Sequence, residues 1–128
     1  MIVRYLEDRL GTDYDVAAGA WNSRRLLLKE DEVGFSLHDT LIKAGSETLI
    51  WYKHHVEAVY CIEGEGEIEL ADSGETYAIR PGMLYVLNGN EKHRLRGKSD
   101  MRMICVFNPP CTGREVHDEE GAYAAPNS

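Results

Sequence analysis

Turn signals recur in this chain at short, nearly even intervals, and nothing between them has the length or the 3.6-residue period of a helix. They fall at residues 63–66, 71–74, 80–82, 88–92 and 97–100, each built on Gly, Asn, Asp or Pro. Strand-like segments flank these turns, at residues 23–29, 35–42, 48–53, 56–62 and 101–107, and residues 48–53 are rich in the β-branched and aromatic residues that pleated sheets favour. Many short strands about 8 to 12 residues apart predict an all-β sandwich or barrel. The last strand should stop at Asn108, because Pro109 and Pro110 cannot donate to a ladder.

A chain of 128 residues suits one domain with a real core. Within residues 1–128 we expect an N-terminal arm over 1–20, with a short strand at 1–6 and an irregular stretch over 7–20 in which Gly11 and Gly19 are breakers, and a polar tail over 111–128. That tail could fold back over a barrel mouth. The net charge of −8, with an acidic cluster at residues 115–120, argues against nucleic-acid backbones and anionic membranes as partners. A small polar ligand stays open. The first ten residues lack the apolar core of a signal peptide, and no apolar run approaches the roughly 18 residues of a membrane span, so a cytoplasmic protein is expected. Cys61, Cys105 and Cys111 have no metal-knuckle spacing and read as buried free thiols.

Strand parity assigns faces. In residues 35–42, Ser36, His38, Thr40 and Ile42 share one face, and Phe35, Leu37 and Leu41 the other. Arg24 and Arg25 point to opposite faces, so only one should reach an interior, and a solvated arginine is the default for either. In residues 56–62, Glu57 shares a face with Val59 and Cys61, an unusual place for a carboxylate, which must there meet water, a partner or a metal.

Glu57 and Gly64, and later Gly82 and His93, keep the spacing of the two motifs of the cupin superfamily, a small β-barrel that often holds a metal. The two histidines expected before the Glu are replaced by residues among Trp51, Tyr52 and Lys53, and Asn88 stands at the second motif's Pro. Tyr85 lies on the strand between, on one face with Met83 and Leu87, and its phenol oxygen is a candidate third donor beside Glu57 and His93. A carboxylate, an imidazole and a phenolate suit Fe2+, with Zn2+ and Mn2+ as alternatives, and three protein ligands leave open positions. Taken singly, each residue has a plainer reading: Glu57 paired with an arginine, Tyr85 a wall aromatic, His93 a turn histidine.

The segments MIVR, WNSRRLLLK, GFSLHDT, IWYKHHVEAVYCIEGEGEIE, IRPGMLY, KHRLRG and CVFNPPCTGREVHDEEGAY run in the order found in ectoine synthases, and residues 1–124 resemble that family. The resemblance implies a single-domain cupin-type barrel, jelly-roll-like with two sheets, and an iron-dependent hydro-lyase acting as a homodimer. Its substrate would be N4-acetyl-L-2,4-diaminobutyrate, closed to ectoine with loss of water. The family's metal positions fall on Glu57, Tyr85 and His93. Its substrate pocket falls on Trp21, Arg25, His38, Thr40, Tyr52, His55, Cys105, Phe107, Glu115 and His117. Arg25 would pair with the substrate carboxylate, Glu115 would meet the 2-ammonium group, Trp21 would pack on the methylenes, and His117 or His55 would move protons. Position 38 is Asn in some members and His here, which changes the pattern of donors and acceptors. The alternative is a non-catalytic cupin that binds a small molecule; a cupin dioxygenase is disfavoured by the missing histidines.

Overall fold

The computed structural model describes residues 1–113. Its strands are β1 (Asp15–Ala18), β2 (Trp21–Leu27), β3 (Ser36–Ile42), β4 (Glu47–Ile50), β5 (Val56–Glu63), β6 (Gly66–Leu70), β7 (Thr76–Ile79), β8 (Leu84–Leu87), β9 (His93–Gly97) and β10 (Met101–Asn108). Short 3-10 turns at Leu6–Asp8 and Lys29–Asp31 are the helical elements among the described residues. Two sheets form, one of six strands in the order β1-β2-β3-β10-β5-β8 and one of four in the order β4-β9-β6-β7. Every paired register is antiparallel.

The inward faces obey the period of two. Ser36, His38 and Ile42 are buried on β3, Glu57, Val59 and Cys61 on β5, Met101, Met103, Cys105 and Phe107 on β10, and His93 and Leu95 on β9. These side chains meet between the sheets with Trp21, Ile50, Ile68 and Ile79, giving one core. The glycine turn after β5 is shaped by close backbone approach. Gly64 has φ +85°, and a Cβ there would lie 2.0 Å from the Asp100 carbonyl oxygen. All three cysteines are buried free thiols, and among the described residues no helix is long and apolar enough to cross a membrane.

Three expectations need correction. Residues 1–6 form no strand: they find no ladder partner, and Arg4 instead donates to both carboxylate oxygens of Asp31, at 2.7 and 2.8 Å, and to the Leu26 carbonyl. The arm is not wholly irregular either, because residues 15–18 pair along β2 as β1. Lastly, Arg24 and Arg25 are both buried, at 6% and 1% exposure. Parity does send them to opposite faces. On the outer face, however, Asp39 accepts from Arg24 Nη2 at 2.6 Å and from Arg102 Nη2 at 2.6 Å, and this charge cluster closes over Arg24.

β10 ends at Asn108 as its prolines require, and the Asn108–Pro109 peptide is cis. The chain then turns back along β3. Cys111 N–H donates to Ser36 Oγ at 3.0 Å, and Lys29 N–H donates to the Cys111 carbonyl at 2.7 Å. This return carries Gly113 to the buried guanidinium of Arg25, whose Nη1 donates to its carbonyl oxygen.

Candidate active site

The six-stranded sheet lays its inward side chains in rows. Cross-strand registers align Arg25, His38, Cys105, Val59 and Tyr85 in one row from β2 to β8. The next rows place Ser36, Phe107, Glu57 and Leu87 on one side, and Ser23, Thr40 and Met103 on the other. Partners directly opposite on one face are about 5 Å apart at Cβ, so each row is a line of touching side chains. A narrow interior cavity of about 40 Å³ opens on these rows, lined on this side by Trp21, Ser23, His38, Thr40, Glu57 and Tyr85. Cys105, Phe107 and Tyr52 complete its polar and aromatic wall, and Ile50 and Leu95 face it from the other sheet.

Glu57 is 6% exposed, and burial pushes its carboxyl up to about 8, partly offset by a hydrogen bond from the Cys105 thiol. That thiol is itself held well above its ordinary range, by burial first and then by the charge of Glu57, while the Thr40 hydroxyl bonds to its sulfur. Burial thus favours Cys105 as a neutral thiol that donates to Glu57. Tyr85 shares Glu57's surroundings, and its phenol is pushed up by burial and by the Glu57 charge. A divalent cation would reverse both pressures, because it favours carboxylate and phenolate.

His93 comes from β9, on the same face as Leu95, and is wholly buried. Its Nδ1 lies 3.0 Å from the Glu91 carbonyl oxygen, which can only accept, so Nδ1 carries the proton. Nε2 then presents a lone pair to the interior, and it has no hydrogen-bond partner among the described residues. Burial also lowers the affinity of His93 for a second proton, against the pull of Glu91. An imidazole oriented by a backbone carbonyl, with its other nitrogen bare, has the arrangement of a metal ligand with its supporting shell. The donors fit a divalent cation. No group of three or more His, Cys, Asp or Glu that could hold a metal occurs among the described residues, and the set Glu57, Tyr85 and His93 includes only two of that kind.

The remaining expected residues divide. Trp21, His38, Thr40, Tyr52, Cys105 and Phe107 line the cavity together with Glu57 and Tyr85. Phe107 is their hub, with ring centroids 5.0 Å from His38, 5.2 Å from Tyr52 and 5.7 Å from His55. Arg25 and His55 are buried and are not among the residues lining this cavity, and both help to lower the basicity of His38 after burial itself. Glu115 and His117 lie outside the described residues.

Two contributors were missed in the sequence. Ser23 lines the cavity, and its parity with Trp21 and Arg25 was the available signal. Asn90, at φ +54°, donates through Nδ2 to the carbonyls of Tyr52 and His55, both at 3.0 Å, and so pins the loop that carries both residues. An Asn in an NGN turn marks a left-handed position, but its targets cannot be read locally.

Two facing antiparallel sheets around a cavity lined by Glu57 and Tyr85, with His93 buried on β9 outside that lining, make a cupin-type barrel. A Cupin_2 domain of an XRE family transcriptional regulator from Enterobacter cloacae shares the fold, with TM-score 0.61 at 19% identity, over 72% of this chain and 99% of that one. The crystal structure of ectoine synthase from P. lautus superposes with TM-score 0.89 at 69% identity, covering 94% of this chain and 87% of that one. The L-ectoine synthase of Desulfatibacillum aliphaticivorans is 62% identical over 125 residues, 96% of each chain. The sequence model describing ectoine synthase matches residues 1–127, and the chain belongs to the ectoine synthase family of enzymes.

Proposed function

We propose that this enzyme closes N4-acetyl-L-2,4-diaminobutyrate to ectoine with loss of water, using a ferrous ion held by Glu57, Tyr85 and His93. The observation that carries the reading is the buried Glu57 carboxyl beside Tyr85, with the bare Nε2 of His93 turned inward from the opposite sheet. Zn2+ and Mn2+ suit the same donors. When bound, the ion supplies a Lewis acid for the acetamide oxygen.

In this cyclisation the substrate's 2-amino nitrogen bonds to its own acetamide carbon, the carbon–oxygen bond breaks, and the oxygen leaves as water with two protons from that nitrogen. The amine must first be deprotonated, and the leaving oxygen must be protonated. Glu115 is assigned the ammonium group and His117 or His55 the proton transfers. Arg25 is assigned the substrate carboxylate. Trp21 packs on the methylene chain, and the neutral Cys105 thiol and Thr40 hydroxyl hold the wall next to Glu57. The aromatic lining of Phe107 and Tyr52 excludes water and folds the substrate so that its ends meet, which supplies effective molarity. Purified protein, ferrous iron and N4-acetyl-L-2,4-diaminobutyrate should yield ectoine by NMR or chromatography, and unchanged substrate would refute the reading.

The working unit is proposed to be a homodimer. Val56, Tyr60, Leu84 and Val86 are 39 to 59% exposed on the outer face of β5 and β8, and β8 is the edge of its sheet among the described residues. A second copy would cover both features.

A further inference from the structure

The histidine at position 38 has neighbours that determine which of its ring nitrogens carries the proton. Ser23 Oγ lies 3.2 Å from His38 Nδ1, and Arg25 Nε points at the same oxygen from 3.5 Å. All three side chains are buried, at 1 to 3% exposure. A guanidinium can only donate, so Ser23 Oγ accepts from Arg25. The hydroxyl has one proton to give, and His38 Nδ1 is its acceptor among the described residues. The opposite arrangement, with Nδ1–H donating to Oγ, would leave the buried hydroxyl proton unspent, at a cost that a buried polar group rarely bears. His38 Nε2 has no hydrogen-bond partner among the described residues, and the ring lines the cavity.

We infer that Ser23 is a positioning residue that relays the donor character of Arg25 to His38, locking it as the neutral Nε2–H tautomer, so that position 38 presents a hydrogen-bond donor to an oxygen of the bound substrate. The second half of this inference rests on the cyclisation reading given above; the tautomer itself does not. His38 is no proton shuttle here. Burial, then the charges of Arg25 and His55, push its pKa to about 3, and the ring stays neutral across the working range.

The tautomer is read directly from long-range proton–nitrogen NMR of the imidazoles in the full chain loaded with diamagnetic Zn2+. His38 should show a pyrrole-type Nε2 and a pyridine-type Nδ1 in the wild type and in Ser23→Thr, which keeps the hydroxyl. Ser23→Ala should lose this single tautomer. A protonated Nδ1 in the wild type, or an unchanged tautomer in Ser23→Ala, would overturn the relay whether or not the enzyme turns over. With substrate, His38→Asn keeps an N–H donor and should hold kcat/KM within about threefold, while His38→Leu should lose roughly 10- to 100-fold, chiefly in KM. Equal kinetics for the Asn and Leu variants would overturn the donor role and leave the tautomer result standing.

Discussion

Replacing Asp39 by alanine should be among the most damaging single changes outside the cavity. Its carboxylate is 4% exposed and binds two guanidiniums, that of Arg24 at 8% exposure and that of Arg102 at 31%. Arg102 can turn to water when Asp39 is lost, so its share of the cost is about 1 kcal/mol or less. Arg24 is buried and keeps only its Nε bond to the residue-39 carbonyl, at 2.9 Å, and a buried charge that loses its counter-charge costs about 3–5 kcal/mol. For a chain of this size that is a fall in Tm of about 10–20 °C. Asp39 also lies on β3 between His38 and Thr40, which face the cavity, so kcat/KM should fall with stability. The double variant Arg24→Met, Asp39→Leu removes the desolvated charge and should recover most of the loss. Acidity provides a second check. Burial raises the Asp39 carboxyl, but hydrogen bonds from Arg102 and Arg24 outweigh it and hold the group below its ordinary value of 3.8. A depressed carboxylate contributes stability that is fully present above 3.8 and is lost as pH falls through the folded value. The gap between wild type and Asp39→Ala in urea unfolding should therefore be constant near neutrality and shrink in acid. A cost under about 1 kcal/mol at pH 7, or a gap that persists unchanged below the folded pKa, would refute this assignment.

Gly66→Ala would bring a Cβ to 2.3 Å from the Arg96 carbonyl oxygen and 2.6 Å from Met101 Sδ, so little folded protein should be recovered, as circular dichroism would show. Asn90→Ala loses both bonds to the loop carrying Tyr52 and His55 at a strained left-handed position; about 1–3 kcal/mol of stability and a raised KM are expected, with thermal melts and steady-state kinetics as the checks. Leu84→Glu on the outer face of the edge strand should shift a dimer toward monomer in sedimentation velocity, while leaving metal content intact.

Much of the fold was legible because strand parity is a local property. The inward placement of His38 and Thr40 on β3, of Glu57 on β5, and of Cys105 with Phe107 on β10 follows from alternation and from turns that bound each strand. What alternation omits is the partner. β1 was hidden by its shortness, four residues between the polar run at 11–13 and Gly19, and its pairing with β2 is what fixes it as a strand. Arg24 looked solvent-bound, because the carboxylate that buries it arrives from β3, 15 residues away. The bare Nε2 of His93 depends on a carbonyl two residues upstream and on the facing sheet, so spacing could nominate that residue without giving its orientation. The Ser23, Arg25 and His38 line needs the β2–β3 register, which a β-bulge resets between Arg25 and Leu27.

Glu57, Tyr85 and His93 are proposed to form one metal site serving one cyclisation. The most direct test is metal analysis of anaerobically purified protein combined with turnover of N4-acetyl-L-2,4-diaminobutyrate, on wild type and on Glu57→Ala. One ferrous ion per chain with ectoine formed by the wild type, and neither in the variant, is the predicted result. Full metal content and undiminished ectoine formation in Glu57→Ala would contradict it.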